Sequence, residues 1–221
     1  MPSCCYSDEY GAVFTPKEAR ANARKLHKSG LTGTAEELAT AVSALGVDGS
    51  SLLEVGGGLG GLHLALLGQG AASAVNVDLS DSWEEPALSL LEERGMTGRV
   101  ERLLGDFVDL GDRLPRADIV LLHRVVCCYP DWRGMLDVAA SKSQWLLGLT
   151  FPIDRSWTRL AVRLTNLTFR IRRLEFRSYV HPADSMLRLL QGLGMSVIYD
   201  HSGPLWRTMV WERPSVVDPA I

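Results

Sequence analysis

Five glycines follow a short apolar run in the segment LLEVGGGLGG, which covers residues 52–61. Three of them, Gly56, Gly58 and Gly61, have the spacing G-x-G-x-x-G between a predicted strand and a predicted helix. Glycine permits the tight turn at this point and lets the backbone approach a ligand closely. The spacing therefore predicts a binding turn for a nucleotide-containing cofactor, although the motif alone has low specificity.

The acid before the glycines separates two candidate cofactors, NAD and S-adenosylmethionine. Glu54 lies at the carboxyl end of the first predicted strand, two residues before Gly56. A carboxylate there repels a pyrophosphate but attracts the cationic amino group and sulfonium of S-adenosylmethionine. We therefore expect S-adenosylmethionine as the cofactor, with Glu54, Gly56, Gly58 and Gly60 among the residues that bind it.

Two further acids follow the next two predicted strands. Asp78 ends the second strand in VNVDLS, where its carboxylate can accept hydrogen bonds from both ribose hydroxyls, with Leu79 beside it. Asp106 and Phe107, in LLGDF after the third strand, fit an adenine site. A carboxylate there accepts from the adenine amino group while the aromatic ring packs on the base.

Candidate catalytic residues follow the fourth predicted strand, beside the expected sulfonium. His123 comes directly after the apolar run 119–122 and is our first candidate for a base or a cofactor contact. Its unperturbed pKa of about 6.5 would leave it mostly neutral and able to accept a proton. Tyr129 and His181 are the other candidates, and Tyr179 stands close to His181 in RSYVHPAD. The alternative for each histidine is a ring that only satisfies nearby backbone groups.

The cysteines form two adjacent pairs, Cys4-Cys5 and Cys127-Cys128. The C-x₂-C spacing typical of zinc sites does not occur, and neighbouring residues in a strand point in opposite directions. We therefore expect reduced, metal-free cysteines that pack as small apolar residues. A thiol on the substrate side of the site and a soft-metal or metalloid site remain open alternatives.

Helices and strands alternate along the chain, and they must position these residues. Strands are predicted over Ser51–Val55, Ala74–Leu79, Val100–Leu104, Asp118–Leu122, Gln144–Leu149, Ser196–Asp200 and Leu205–Trp211. Helices are predicted over Lys17–Lys28, Thr34–Leu45, Gly60–Gly68, Ser82–Arg94, Trp132–Ala140 and Ala183–Leu193, with a capping box from Thr34 to Glu37. The alternation predicts an α/β fold with a parallel sheet covered on both faces. The last two strands are joined too briefly for a crossover helix and should be antiparallel.

A basic insert, residues 151–181, separates the fifth strand from the last predicted helix. It carries seven arginines, which are Arg155, Arg159, Arg163, Arg170, Arg172, Arg173 and Arg177, and apolar residues recur at helical spacing between them. The spacing predicts a basic amphipathic helix. We favour a packed helix with a solvated basic face. A lid that turns its arginines towards an anionic substrate and a peripheral contact with a membrane surface are the alternatives.

Length and charge limit the classes of protein to consider. The 221 residues fit a single domain, 1–221, with residues 1–48 as an N-terminal helical lid. A net charge of −3 argues against a nucleic-acid partner, which requires a strongly basic surface. No stretch has the length and apolarity of a membrane span, and the first residues lack the pattern of a signal peptide. We therefore expect a cytoplasmic protein.

Together, the segments LLEVGGGLGG, VNVDLS, LLGDF and ADIVLLHRVVCCYPDW resemble the class I S-adenosylmethionine-dependent methyltransferases in order and spacing. The resemblance implies a Rossmann-like, seven-stranded, mostly parallel sheet with strand order 3-2-1-4-5-7-6 and an antiparallel seventh strand. It also implies S-adenosylmethionine across the carboxyl ends of strands one to four. The residue patterns add the N-terminal helices and the helical insert after strand five.

The C-terminal half is distantly similar to the magnesium-protoporphyrin O-methyltransferases. The shared features are YP after strand four, the segment RSYVHPADSMLRLLQGLGM and an aromatic-rich last strand, but Cys128 stands where that family tends to have a histidine. We favour a methyltransferase that acts on a small-molecule substrate, through oxygen. The alternatives are methylation of a tetrapyrrole carboxylate, other chemistry on bound S-adenosylmethionine, and an accessory subunit. The oligomeric state is left open.

Overall fold

The computed structural model describes residues 13–214 of the chain. Seven strands form one sheet: β1 Ser51–Val55, β2 Ser73–Asp78, β3 Val100–Leu104, β4 Ala117–His123, β5 Ser143–Pro152, β6 Ser196–Ser202 and β7 Trp206–Glu212. Their order in the sheet is β3-β2-β1-β4-β5-β7-β6, as predicted. The pairs among β1 to β5 are parallel, whereas β7 runs antiparallel to both β5 and β6. The expected Rossmann-like fold is therefore confirmed.

Eight helices surround the sheet in the part of the chain that the structure describes. They are α1 Pro16–Ser29, α2 Thr34–Ser43, α3 Gly61–Leu67, α4 Glu84–Glu93, α5 Phe107–Leu110, α6 Trp132–Lys142, α7 Ser156–Ile171 and α8 Ala183–Gly192. Each predicted helix is present, with its ends displaced by at most a few residues. The fold places α1 and α2 before the sheet and α7 after β5, which are the positions expected for N-terminal helices and a helical insert.

Both faces of the sheet are apolar, because the central strands alternate buried residues between two cores. On one face, Leu53 and Val120 pack with α6 and α8, and Trp211 joins the same cluster. On the other face, Leu52 and Ile119 pack with α2 and α3. This double burial fixes the register of β1 and β4, so the residues at the ends of these strands have defined positions.

The carboxyl ends of the parallel strands meet at one edge of the sheet. Val55 at the end of β1 is aligned with Val77, so the glycine turn begins beside Asp78. His123 at the end of β4 is aligned with Thr150 of β5. Residues that lie far apart in the sequence therefore reach the same edge, where open α/β sheets bind their ligands.

The predicted capping box at Thr34 is wrong. Gly33 is the residue before α2 and makes no side-chain cap, and the Thr34 hydroxyl bonds elsewhere. A capping box is found instead at the start of α1, where the Thr15 hydroxyl accepts from the Glu18 N–H and the Glu18 carboxylate accepts from the Thr15 N–H. Residues 15–18 and 34–37 both have the sequence pattern of a capping box. Only the first forms one, because the Thr34 hydroxyl bonds to His123 instead.

The insert is helical only over α7, residues 156–171, and continues without regular structure to residue 182. Within residues 13–214, no helix combines the length and apolarity that crossing a bilayer requires.

Candidate functional site

A cavity of about 470 Å³ opens at the carboxyl edge of the sheet. The glycine turn, the ends of β2 and β4, and the segment from α1 to α2 form its walls. Among the predicted cofactor residues, those that line it are Gly56, Gly58, Asp78, Leu79, Phe107 and His123. Its volume is within the usual range for small-molecule sites.

Asp78 ties the end of β2 to the glycine turn. One carboxylate oxygen accepts from the Gly58 N–H at 2.9 Å, and the other accepts from the Ser80 N–H at 2.9 Å. Burial raises the pKa of Asp78, although these two N–H groups act in the opposite direction. Each oxygen keeps a further lone pair for a ligand, so the carboxylate can receive a pair of adjacent hydroxyls.

Glu54 and Gly60 lie behind the cavity wall, which differs from the predicted direct contacts. The Glu54 carboxylate is 3% exposed, and its Oε2 accepts from the His63 backbone N–H and lies 2.7 Å from His63 Nδ1. A side chain at Gly60 would meet the His63 ring, with its Cβ only 2.0 Å from Cε1. Glu54 therefore stabilises the glycine turn through its contacts with His63.

Asp106 also acts behind the wall, while its neighbour Phe107 lines the cavity. The Asp106 carboxylate accepts from the backbone N–H of Val108 and of Asp109, which begins α5. The Tyr129 hydroxyl, which is buried, donates to the same carboxylate at 3.0 Å. Tyr129 therefore holds Asp106 in place. Tyr129 also lines the cavity, and its catalytic role stays a prediction.

His123 is the last residue of β4 and lines the cavity. Its Nε2 is 2.9 Å from the Thr34 hydroxyl of α2. Burial and the neighbouring Arg124 cation lower the pKa of His123 from 6.5 to about 4, against a smaller opposing effect of Glu54. The ring is therefore neutral at pH 7 and is a weaker base than the sequence predicts.

Arg124 lines the cavity beside His123. Its backbone adopts a φ of 59°, its Nε donates to the Thr34 hydroxyl at 3.1 Å, and its guanidinium lies 4.3 Å from the centre of the Trp206 ring. Within residues 13–214, no carboxylate forms a salt bridge with Arg124. A positively charged group without a carboxylate partner at a cavity wall can bind an anionic ligand.

Cys127 and Cys128 follow Arg124 in a short turn, with their sulfur atoms 3.8 Å apart. Cys127 is buried, whereas Cys128 reaches the cavity wall. A hydrogen bond from the Cys128 thiol lowers the pKa of Cys127. Cys4 and Cys5 lie outside the described residues. Inside that range, no group of three or more histidine, cysteine and acidic side chains is arranged to hold a metal ion.

His181 makes backbone contacts away from the cavity wall. Its Nε2 lies 3.0 Å from the carbonyl oxygens of both Val126 and Tyr129. The ring stacks on Tyr179 at 5.5 Å, and burial lowers its pKa. These contacts match the alternative of a structural histidine and do not favour the predicted catalytic role.

The structure adds cavity residues that the sequence patterns did not predict. Trp83 packs over Gly58, Phe14 lies 6.1 Å from Trp83 between ring centres, and Lys25 of α1 lines the same wall. Thr34 joins the site through its hydrogen bonds with His123 and Arg124, which lie far from it in the sequence. For these residues the sequence offered one signal, which is Trp83 shortly after the second strand, because an aromatic ring at that position can cover a ligand.

Neither protein-family models nor curated proteins match the chain. Solved structures do match, and the fold that they share with the chain is the Rossmann-like fold of S-adenosylmethionine-dependent methyltransferases. The magnesium protoporphyrin IX methyltransferase of Synechocystis PCC 6803, solved with bound SAH, is 20% identical with a TM-score of 0.66, and 82% of each chain is covered.

Two further structures extend this similarity to other activities. An O-methyltransferase family protein of Burkholderia thailandensis is 16% identical with a TM-score of 0.69, covering 90% of this chain and 60% of that one. A 4+2 cyclase is 16% identical with a TM-score of 0.61, covering 80% of each chain. At these identities the comparisons establish the fold.

Proposed function

We propose that this protein binds S-adenosylmethionine and methylates an oxygen atom of a small-molecule substrate that is already ionised when it binds. The observation that supports this proposal most directly is the pair at the end of β4. His123 has a pKa of about 4, and Arg124 lines the cavity beside it without a salt-bridge partner among the described residues.

The cavity residues fit the proposed cofactor. Gly58, with a φ of 54°, lets the turn run close to a ligand, and a side chain there would press on Trp83. Asp78 would accept the ribose hydroxyls with its remaining lone pairs. Phe107 would pack on the adenine ring. Bound S-adenosylmethionine supplies an electrophilic methyl group on a sulfonium.

An ionised oxygen needs no general base, and this agrees with the low pKa of His123. A base with a pKa of about 4 takes a proton from a hydroxyl poorly, because catalytic bases work best near the ambient pH. An oxyanion would instead attack the methyl carbon as the carbon–sulfur bond breaks and its electrons pass to sulfur. Arg124 would hold the oxyanion, and the neutral His123 would orient it while bonded to Thr34.

Phenolates and carboxylates both meet this description. A carboxylate on a tetrapyrrole, as in the similarity to magnesium protoporphyrin IX methyltransferase, is therefore the second candidate. Two alternatives require no methyl transfer. One is other chemistry on a bound cofactor, motivated by the similarity to a 4+2 cyclase. The other is an accessory subunit that retains the fold.

Methyl transfer from radiolabelled S-adenosylmethionine to a series of phenols with graded pKa tests the proposal. We expect the inflection in the pH profile of kcat/KM to follow the pKa of the phenol. Arg124→Gln should lower kcat/KM about 10- to 100-fold, the loss expected for one charge-assisted hydrogen bond. Arg133→Gln is the matched control, because Arg133 also stacks on a tryptophan, Trp132, at 4.4 Å.

Two results would contradict the proposal in different ways. An inflection that stays constant for all phenols and disappears in His123→Gln would make His123 the base for a neutral hydroxyl. Cofactor binding without a methylated product from any phenol or carboxylate would instead favour the accessory role.

A further inference from the structure

The helix α7 carries its large apolar side chains on its outer surface. Their exposed fractions are 54% for Trp157, 56% for Leu160, 56% for Leu164, 50% for Leu167 and 72% for Ile171. These five residues are hereafter the apolar stripe. On the same helix Thr158 is buried, and Val162, Asn166 and Phe169 are half-buried. The helix therefore uses its polar and mixed side against the protein and exposes its apolar side.

Helical geometry places the apolar stripe directly opposite the protein. At about 100° per residue, the five side chains fall within an arc of roughly 80°. The inward-facing residues occupy an arc centred about 180° away. The stripe is thus continuous along the helix and lies on the side opposite the inward-facing residues. At its first residue, the Trp157 indole N–H also donates to the Pro204 carbonyl oxygen at 3.4 Å.

Arginines border the apolar stripe along one side. Arg159, Arg163 and Arg170 are exposed on α7 and lie next to the stripe on the helix surface. Arg155, Arg172 and Arg173 are exposed at the two ends of the helix. The segment 153–181 contains only two acids, Asp154 and Glu175, and Asp154 is paired with Arg159. The outer surface of α7 is therefore both apolar and strongly basic.

We propose that α7 docks on the surface of an anionic lipid bilayer, with the apolar stripe inserted and the arginines at the phosphates. An amphipathic helix with a basic border lies in the membrane interface and gains affinity from both features. The helix has 16 residues, which is too short to span a bilayer. Charge complementarity determines the occupant. Among residues 13–214, Asp154 pairs with Arg159, but no carboxylate forms a salt bridge with Arg163 or Arg170, and a lipid surface supplies negative charges for them.

A second copy of the chain fits this surface less well. In an antiparallel two-fold contact through the apolar stripe, the arginine borders of the two copies would lie on the same side of the helix pair. Like charges at such a contact repel one another, whereas anionic headgroups attract them.

The docked helix would adjoin the wall of the cavity. On its inner side, Phe169 packs edge-to-face on Phe176 at 5.4 Å, and Phe176 packs in the same way on Phe14 at 5.9 Å. Phe14 lines the cavity. Three aromatic rings therefore connect the proposed membrane surface with the proposed binding site.

Co-sedimentation of the full chain with vesicles tests the proposal. We expect binding to vesicles of phosphatidylcholine with about one third phosphatidylglycerol, and at least about tenfold weaker binding to phosphatidylcholine alone. The double variant Leu160→Asp, Leu164→Asp should lose at least about tenfold in partitioning. Leu88→Asp is the matched control, because Leu88 is 44% exposed on α4 and should leave partitioning unchanged.

The basic border has its own test. Arg163→Gln with Arg170→Gln should weaken partitioning roughly 30-fold, at about fivefold for each arginine near the surface, and added salt should reduce the difference. Equal binding of wild type and both double variants would overturn the proposal. So would a stable dimer in sedimentation velocity that Leu160→Asp, Leu164→Asp dissociates, combined with no vesicle binding.

Discussion

His123 lies where two features of its surroundings disfavour a charged ring. It is largely buried at the end of β4, and the Arg124 cation follows it directly in the chain. The Thr34 hydroxyl satisfies Nε2 at 2.9 Å without adding a negative charge. The residue type alone gives a pKa of about 6.5, and only the tertiary surroundings lower it.

The low pKa of His123 predicts a loss of stability in mild acid. Below pH 6.5 the unfolded chain gains a proton on this ring, whereas the folded chain gains it only near pH 4. The free energy of unfolding should therefore fall as the pH is lowered through that window, by about 2–3 kcal/mol from this residue. Urea unfolding at a series of pH values would measure the loss.

The His123→Gln variant is the control for this prediction. Glutamine can keep a hydrogen bond to Thr34 but does not titrate. The variant should retain about 2–3 kcal/mol more of its stability between pH 7 and pH 4 than the wild type retains. Parallel stability profiles for the two proteins would show that His123 titrates normally.

Residue types in motifs indicated part of the cavity wall, but they did not distinguish direct contacts from supporting ones. Asp78 and Phe107 line the cavity, whereas Glu54 and Asp106 are bonded to protein groups behind it. An acid at the end of a strand looks the same in sequence in both situations. The hydrogen-bond partner distinguishes the two situations. The partners are His63 for Glu54 and Tyr129 for Asp106, and both lie on other elements.

At the scale of elements, the turn after β1 depends on glycine at Gly60. Its φ is 81°, and a Cβ there would lie 2.0 Å from the buried His63 ring. The ring cannot move away freely, because it is fully buried and bonded to Glu54. We expect Gly60→Ala to lower the free energy of unfolding by about 2–4 kcal/mol, measured by urea unfolding.

Gly46→Ala separates the backbone effect from the clash in that experiment. Gly46 has a φ of 91°, and no heavy atom lies within 4 Å of its Cβ position. Its substitution should cost only about 1 kcal/mol, the backbone penalty. Equal losses for the two variants would mean that the turn relaxes around His63.

The α/β class with a parallel sheet could be predicted because strand and helix patterns alternate, whereas the strand order followed from the resemblance to the methyltransferases. β1 and β3 have the predicted bounds, since a glycine follows the last residue of each strand. The capping box at Thr34 could not be judged locally, because His123 and Arg124 bind its hydroxyl instead. The expected packing of α7 was also wrong, because its apolar face is exposed. Helical periodicity identifies an apolar face but does not show whether that face points to the protein or to solvent.

At the scale of the whole molecule, the cavity exists only because distant segments meet. Lys25 of α1 and Thr32 before α2 face the glycine turn across it, so the N-terminal helices complete the wall that the sheet begins. The N-terminal helical lid over residues 1–48 stays a prediction, and residues 1–12 of it lie outside the described part of the chain. This assembled cavity is the proposed binding site for S-adenosylmethionine.

Calorimetric titration of the full chain with S-adenosylhomocysteine, and separately with NAD, tests that claim most directly. We expect micromolar binding of S-adenosylhomocysteine and no binding of NAD. Asp78→Ala should weaken the binding by about 1.5–3 kcal/mol, roughly 10- to 100-fold, because it removes the acceptor for the ribose hydroxyls. The matched control Asp81→Ala changes an exposed acid three residues away and should bind as the wild type does. Binding of NAD in preference to S-adenosylhomocysteine, or wild-type affinity in Asp78→Ala, would contradict the account.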